Sequence, residues 1–196
     1  NYLTTLEGLS PETPGITVAV VEKGSRIELT NTNDTDVVVL GYEDEPYLRI
    51  GPEGVFENRR SPATYLNQDR QGSQSGGDNA DPEAEPDWRR ISSGQTARWH
   101  DHRIHWMGAS VDRPDERLVV EDEWVIPLDF RGERLEITGQ LLWIPGPSPL
   151  PWFLLIAGLV ALGAVVGLRP WWGKGLAALL AVLILTDIVH VIGILG

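Results

Sequence analysis

The chain has 196 residues, no cysteine and a formal net charge of −12, which leaves room for one modest core and excludes disulfides and thiolate metal centres. With Arg169, Lys174 and Asp187 of the apolar tail set aside, 14 basic residues face 27 acidic ones. Nucleic acid is therefore excluded as a partner, and the surface reads first as a solubility device. The chain starts at Asn1 with neither an initiator methionine nor a signal-type apolar stretch, so a processed product is expected.

Ile16 to Glu22 is rich in β-branched residues and ends in Lys23-Gly24, which predicts a strand and a turn. Arg26 to Thr30 alternates with period two, and a polar turn from Asn31 to Asp36 precedes Val37 to Leu40. These three segments predict a β meander. Further short strands are expected at Tyr47 to Ile50, Val55 to Glu57, Thr96 to His100, Arg117 to Val120, Glu123 to Ile126 and Leu135 to Leu142. No segment before Leu150 carries a sustained helical stripe, so residues 1 to 148 are expected to be mainly β, a β-sandwich of immunoglobulin or cupredoxin type. Residues 67 to 86 are polar and rich in Gly, Ser and Asp, and predict a mobile acidic loop or a partner-docking loop. Glu43 to Arg49 and Ser61 to Asn67 combine prolines, tyrosines and charges. They read as structural corners or as a wall beside the histidines described below.

Residues 149 to 196 read as a transmembrane hairpin. Trp152 to Leu168 is apolar for 17 residues and Gly175 to Gly196 for 22, interrupted only by Thr186, Asp187 and His190, which are near-spanning lengths. The connection carries Arg169 and Lys174 and no acid, so loop 169–174 is expected in the cytoplasm and the β domain outside it. Trp143, Trp152, Trp171 and Trp172 flank the spans, where aromatic residues favour the interface. The expected partners are membrane lipid and a membrane protein or complex.

Three of the four histidines and the only methionine fall within His100-Asp101-His102-Arg103-Ile104-His105-Trp106-Met107. Imidazole and thioether donors suit copper first and zinc second, whereas magnesium and calcium prefer oxygen. On a strand His100 and His102 share a face and can grip one ion, while His105 turns away unless the strand bends. Further ligands could be His105, Met107, Glu43, Glu45 or the Asn1 amine. The alternative is packing and hydrogen bonding at an interface, with Asp101 in surface ion pairs to Arg98 or Arg103. Without a thiolate a blue-copper site is excluded, and no hydrolase motif or phosphate loop is present.

Asp187 and His190, three apart on one helix, share a face inside the membrane. Ionisable groups there demand a partner or a pathway, and proton relay, metal passage and assembly with a neighbouring helix are the readings they allow.

The segments Leu40-Gly41-Tyr42, Glu45 to Arg49, Ser61 to Asn67 and Trp99 to Met107 resemble uncharacterised secreted and membrane-anchored actinobacterial proteins, a resemblance that implies no activity. The layout of a β domain followed by membrane helices is also similar to copper-import proteins of the CopC and CopD kind and to the B subunit of particulate copper monooxygenases. The chain lacks the N-terminal histidine of the former and the second β domain of the latter. The expected function is membrane-anchored copper handling or delivery outside the cytoplasm, and the alternative is a non-enzymatic accessory subunit of a membrane complex.

Overall fold

The computed structural model describes residues 2–68, 77, 79–109 and 115–195. The chain forms two compact units, Asn1–Gly146 and Pro147–Gly196. The first contains ten strands: β1 (Tyr2–Ser10), β2 (Ile16–Val21), β3 (Arg26–Asn31), β4 (Val37–Leu40), β5 (Pro46–Gly51), β6 (Gly54–Asn58), β7 (Trp88–Ser92), β8 (Thr96–Trp99), β9 (Leu118–Phe130) and β10 (Glu133–Trp143), with long connections between β6 and β7 and between β8 and β9. They make a seven-stranded antiparallel sheet in the order β1-β10-β9-β4-β5-β6-β7 and a three-stranded one in the order β2-β3-β8.

Alternation explains how the sheets meet. In β3 and β4 every second side chain is buried, and Ile27 and Leu29 of the small sheet share one apolar core with Val37, Val39, Ile50, Ile126, Leu128 and Ile137 of the large one. Each such side chain stabilises the fold by roughly 1.5–3 kcal/mol when fully buried. The unit is mainly β, as its alternation predicts, but the expected meander does not form. β2 and β3 pair, whereas β4 crosses to the other sheet and pairs with β5 and β9. The polar run 31–36 is long enough for that crossing, with the Asn31 side-chain Nδ2 donating to the carbonyls of Thr35 and Ile50, each at 2.8 Å.

The two strands expected at 117–120 and 123–126 are one strand, β9. Acidic residues Glu121, Asp122 and Glu123 interrupt the apolar pattern there. Bulges absorb them, because β9 gains a residue relative to β10 both between Leu118 and Glu121 and between Glu121 and Trp124. One short α-helix, α1 (Pro62–Leu66), lies among the described residues of this unit. Its Ser61 hydroxyl caps the Ala63 amide, and Pro62 occupies the first turn. Nine of the twenty residues of the expected acidic loop, 69–76 and 78, lie outside the described residues. Its end is held by the Asp81 amide donating to the Arg60 carbonyl at 2.8 Å.

The second unit consists of α2 (Leu150–Gly167) and α3 (Trp172–Leu195), about 27 and 36 Å long at 1.5 Å per residue. Both are long and apolar enough to cross a membrane, and neither is buried by protein. This suits membrane anchoring. The two helices meet near their connection, where Val166 stands 2.7 Å from the place a side chain on Gly175 would take.

Gly139 of β10 marks a close backbone approach in the large sheet. A Cβ there would lie 2.0 Å from the Thr5 carbonyl oxygen and 2.4 Å from the buried Trp124 ring. Gly139→Ala is expected to lower stability by about 1–3 kcal/mol, read as a lower denaturation midpoint in detergent-solubilised full-length protein. An unchanged midpoint would show that the sheet yields there without strain.

Candidate functional site

The histidine run does not continue as a strand. β8 ends at Trp99, and Asp101 caps a single 3-10 turn over His102–Ile104. Capping chemistry sets this break: a short acceptor side chain at Asp101 binds the Arg103 amide at 3.1 Å instead of leaving it for a ladder.

Asp101 is fully buried and the Arg103 side chain is 17% exposed, which corrects the expectation of surface ion pairs. Its carboxylate accepts from Trp99 Nε1 at 2.9 Å and from Arg103 Nε and Nη2 at 2.8 Å each, a bidentate pair. The rest of the Arg103 fork reaches the carbonyls of Leu40 at 3.2 Å and Gly41 at 3.3 Å, and its guanidinium carbon lies 4.9 Å from the Tyr42 ring centroid. Burial pushes the Asp101 carboxyl up, but the bonds and charge of Arg103 outweigh it and hold the group below the usual carboxylate range. Arg98, the other candidate, pairs instead with Glu28.

Tyr42 joins this pair to the histidines. Its hydroxyl accepts from the His102 amide at 3.0 Å and donates to Asn67, and burial, then the Asp101 charge, push its phenol up so that it stays protonated. Glu45, buried, accepts from the Glu43 amide at 2.9 Å and from the Ser61 hydroxyl. It is committed to this bracing and does not face the histidines as a ligand. The two tyrosine-proline segments, separate in sequence, thus converge beside the run, and Tyr47, Thr64 and Asn67 line one depression with His100.

The three imidazoles come together by a different geometry from that of a strand pair. The His100 ring lies 5.1 Å from that of His102, edge-on, and 4.4 Å from that of His105, stacked. His105, which a strand would turn away, is the residue whose Nε2 meets His100 Nδ1 at 3.1 Å, while the Ser25 carbonyl lies 3.0 Å from the same Nδ1. Thr4 fixes the end of the turn through a 2.6 Å bond from its hydroxyl to the Ile104 carbonyl. Burial, followed by the neighbouring His100, pushes the His105 imidazole below the ordinary histidine value, which favours its neutral form.

Met107 is 58% exposed and lines an open depression with His102, His105, Trp106 and Glu121. Burial raises Glu121 above the usual carboxylate range. The sequence offered no reason to choose Glu121, because only the bulged register of β9 brings it to this edge. Tyr2 stacks on Trp106 at 6.1 Å and meets Trp143 edge-on at 5.1 Å. Asn1 lies outside the described residues. Among the described residues, no group of three or more His, Cys, Asp or Glu side chains is arranged to hold a metal ion.

Asp187 and His190 lie on α3, both exposed on the two-helix unit. The sequence matches no family model, no curated protein and no solved structure.

Removing one member of a buried ion pair leaves the other charge uncompensated, at a cost of about 3–5 kcal/mol. Asp101→Ala is expected to destabilise the β unit by that amount and Tyr42→Phe by about 1 kcal/mol, measured by urea unfolding. Because the folded carboxyl sits below its unfolded value near 3.9, the contribution of Asp101 is fully present above that pH and is lost as pH falls below it. A wild-type chain whose acid sensitivity below pH 4 equals that of Asp101→Ala would contradict this assignment.

Proposed function

We propose that this is a membrane-anchored metal-handling protein in which His100, His102 and His105 bind copper and pass it to a membrane partner. The observation that carries the reading is the 3.1 Å separation of His105 Nε2 and His100 Nδ1. Two nitrogens bound to one ion at about 2.0–2.1 Å stand roughly 2.9–3.4 Å apart for cis square-planar to tetrahedral angles. The neutral form favoured at His105 is the ligating form, His102 is the nearest third imidazole, and Met107 offers a thioether in the adjoining depression. Imidazole with thioether favours copper, with zinc second.

In this reading α2 and α3 anchor the chain in lipid, the Arg169 and Lys174 connection faces the cytoplasm, and the β unit stands outside it. A second reading, an accessory subunit that docks on a membrane complex, draws on the aromatic group Tyr2, Trp106 and Trp143 beside the exposed Met107. Aromatic and methionine side chains of this kind are enriched in docking surfaces.

Elemental analysis of the full chain purified from its membrane separates the two. Near-stoichiometric copper, reduced at least tenfold in His100→Ala and in His105→Ala but unchanged in His190→Ala, is the expected result. A metal-free protein with a constant set of co-purifying subunits would overturn the copper reading and favour the accessory one.

A further inference from the structure

We infer that a second copy of this chain covers the Asp187 and His190 face of α3 within the membrane, each Asp187 meeting the partner's His190 across a two-fold axis. This rests on α3 alone and is independent of the metal reading.

Asp187 lies about 22 Å along α3 from Trp172 and His190 about 27 Å, both within reach of a hydrocarbon layer about 30 Å thick. Ionisable groups there are costly unless they face protein, water or each other. α2 cannot cover them. Its sequence from Leu150 to Gly167 contains no ionisable residue, and it meets α3 at Gly175, about 90° around the helix from the midpoint of Asp187 and His190 at 100° per residue. Among the described residues no hydrogen bond or ion pair is shown for either side chain, with each other or with anything else.

The sequence marks a seam on that same face. Leu176, Leu180, Leu183, Asp187 and His190 recur at spacings of four, three, four and three, the repeat that keeps one stripe against a parallel neighbour. Beyond Lys174, the one polar residue off this stripe is Thr186, whose hydroxyl is satisfied by the Val182 carbonyl at 2.8 Å, so the two ionisable residues distinguish the stripe, as buried polar residues fix register in coiled coils.

Self-complementarity identifies the occupant. In a parallel pair related by a two-fold axis each residue stands level with its own counterpart, and the counterpart of a residue three away lies about 4.5 Å along the axis, a step that carboxylate and imidazole side chains bridge diagonally. A carboxylate and an imidazole at that spacing therefore satisfy one another twice, with opposite charges or with one shared proton each. A foreign helix would have to supply both a base and an acid at matching heights.

The chain has no cysteine, so single cysteines report the seam directly. Full-length protein carrying Leu183→Cys, reconstituted at low density in phosphatidylcholine vesicles and oxidised with diamide, is expected to form a disulfide-linked dimer. Leu185→Cys, 200° around the helix at nearly the same depth, is expected to stay monomeric. Adding Asp187→Leu should raise the dimer dissociation constant about tenfold, the worth of two interhelical hydrogen bonds in a bilayer. The exchange Asp187→His with His190→Asp should restore pairing. A monomeric wild type, equal cross-linking at both positions, or insensitivity to Asp187→Leu overturns the proposal. His100→Ala should leave cross-linking unchanged, which keeps this outcome distinct from that of the metal reading.

Discussion

The geometry at the histidines depends on a buried carboxylate and a buried guanidinium two residues apart. Asp101 and Arg103 close a short loop in which the acid caps the turn, receives the Trp99 indole and grips the guanidinium with both oxygens. Because Arg103 also binds the carbonyls of Leu40 and Gly41, the turn is fastened to the end of β4 as well as to itself. Buried pairs of this kind are weak sources of net stability, since desolvation offsets their attraction. Their effect here is positional: His102 follows the cap and His105 follows the turn, so both rings are placed by the same contacts.

Much of the β unit is readable from its residues. β-branched stretches with period-two alternation lie in β2, β3 and β4, and Gly or Pro closes most of the strands. β1 escapes that reading because its leucines, Leu3, Leu6 and Leu9, recur every three residues, and only Thr4 is buried along its length. A bulge between Leu6 and Gly8 lets an edge strand tolerate such a pattern. β7, Trp88 to Ser92, is an exposed edge in which most side chains face solvent, so no burial pattern exists to detect. The cap at Ser61 and Pro62 carries the ordinary signature of a helix start, but five residues are too few to show a stripe.

The candidate site was legible in composition and not in geometry. Four potential donors within eight residues singled out one loop, and the structure brings the three imidazoles of that run together. Proximity in sequence could not show that Asp101 would bend the chain and exchange the roles of His102 and His105. Nor could it reveal Ser25, Tyr42 or Glu121, which reach the site from other elements through sheet register and turn packing. The two apolar helices show the opposite balance: their lengths follow directly from the apolar runs, and the pair Asp187 and His190 is visible in the sequence.

The unequal helix lengths place that stripe in depth. Measured from the connection, α2 rises about 27 Å and α3 about 36 Å, so His190 stands level with the first turn of α2 and Asp187 one turn deeper. Where a hairpin spans a bilayer, the start of its first helix and the end of its second emerge on one face. In such a hairpin Asp187 and His190 lie nearer the face on which the chain enters α2 than the face that carries Arg169 and Lys174.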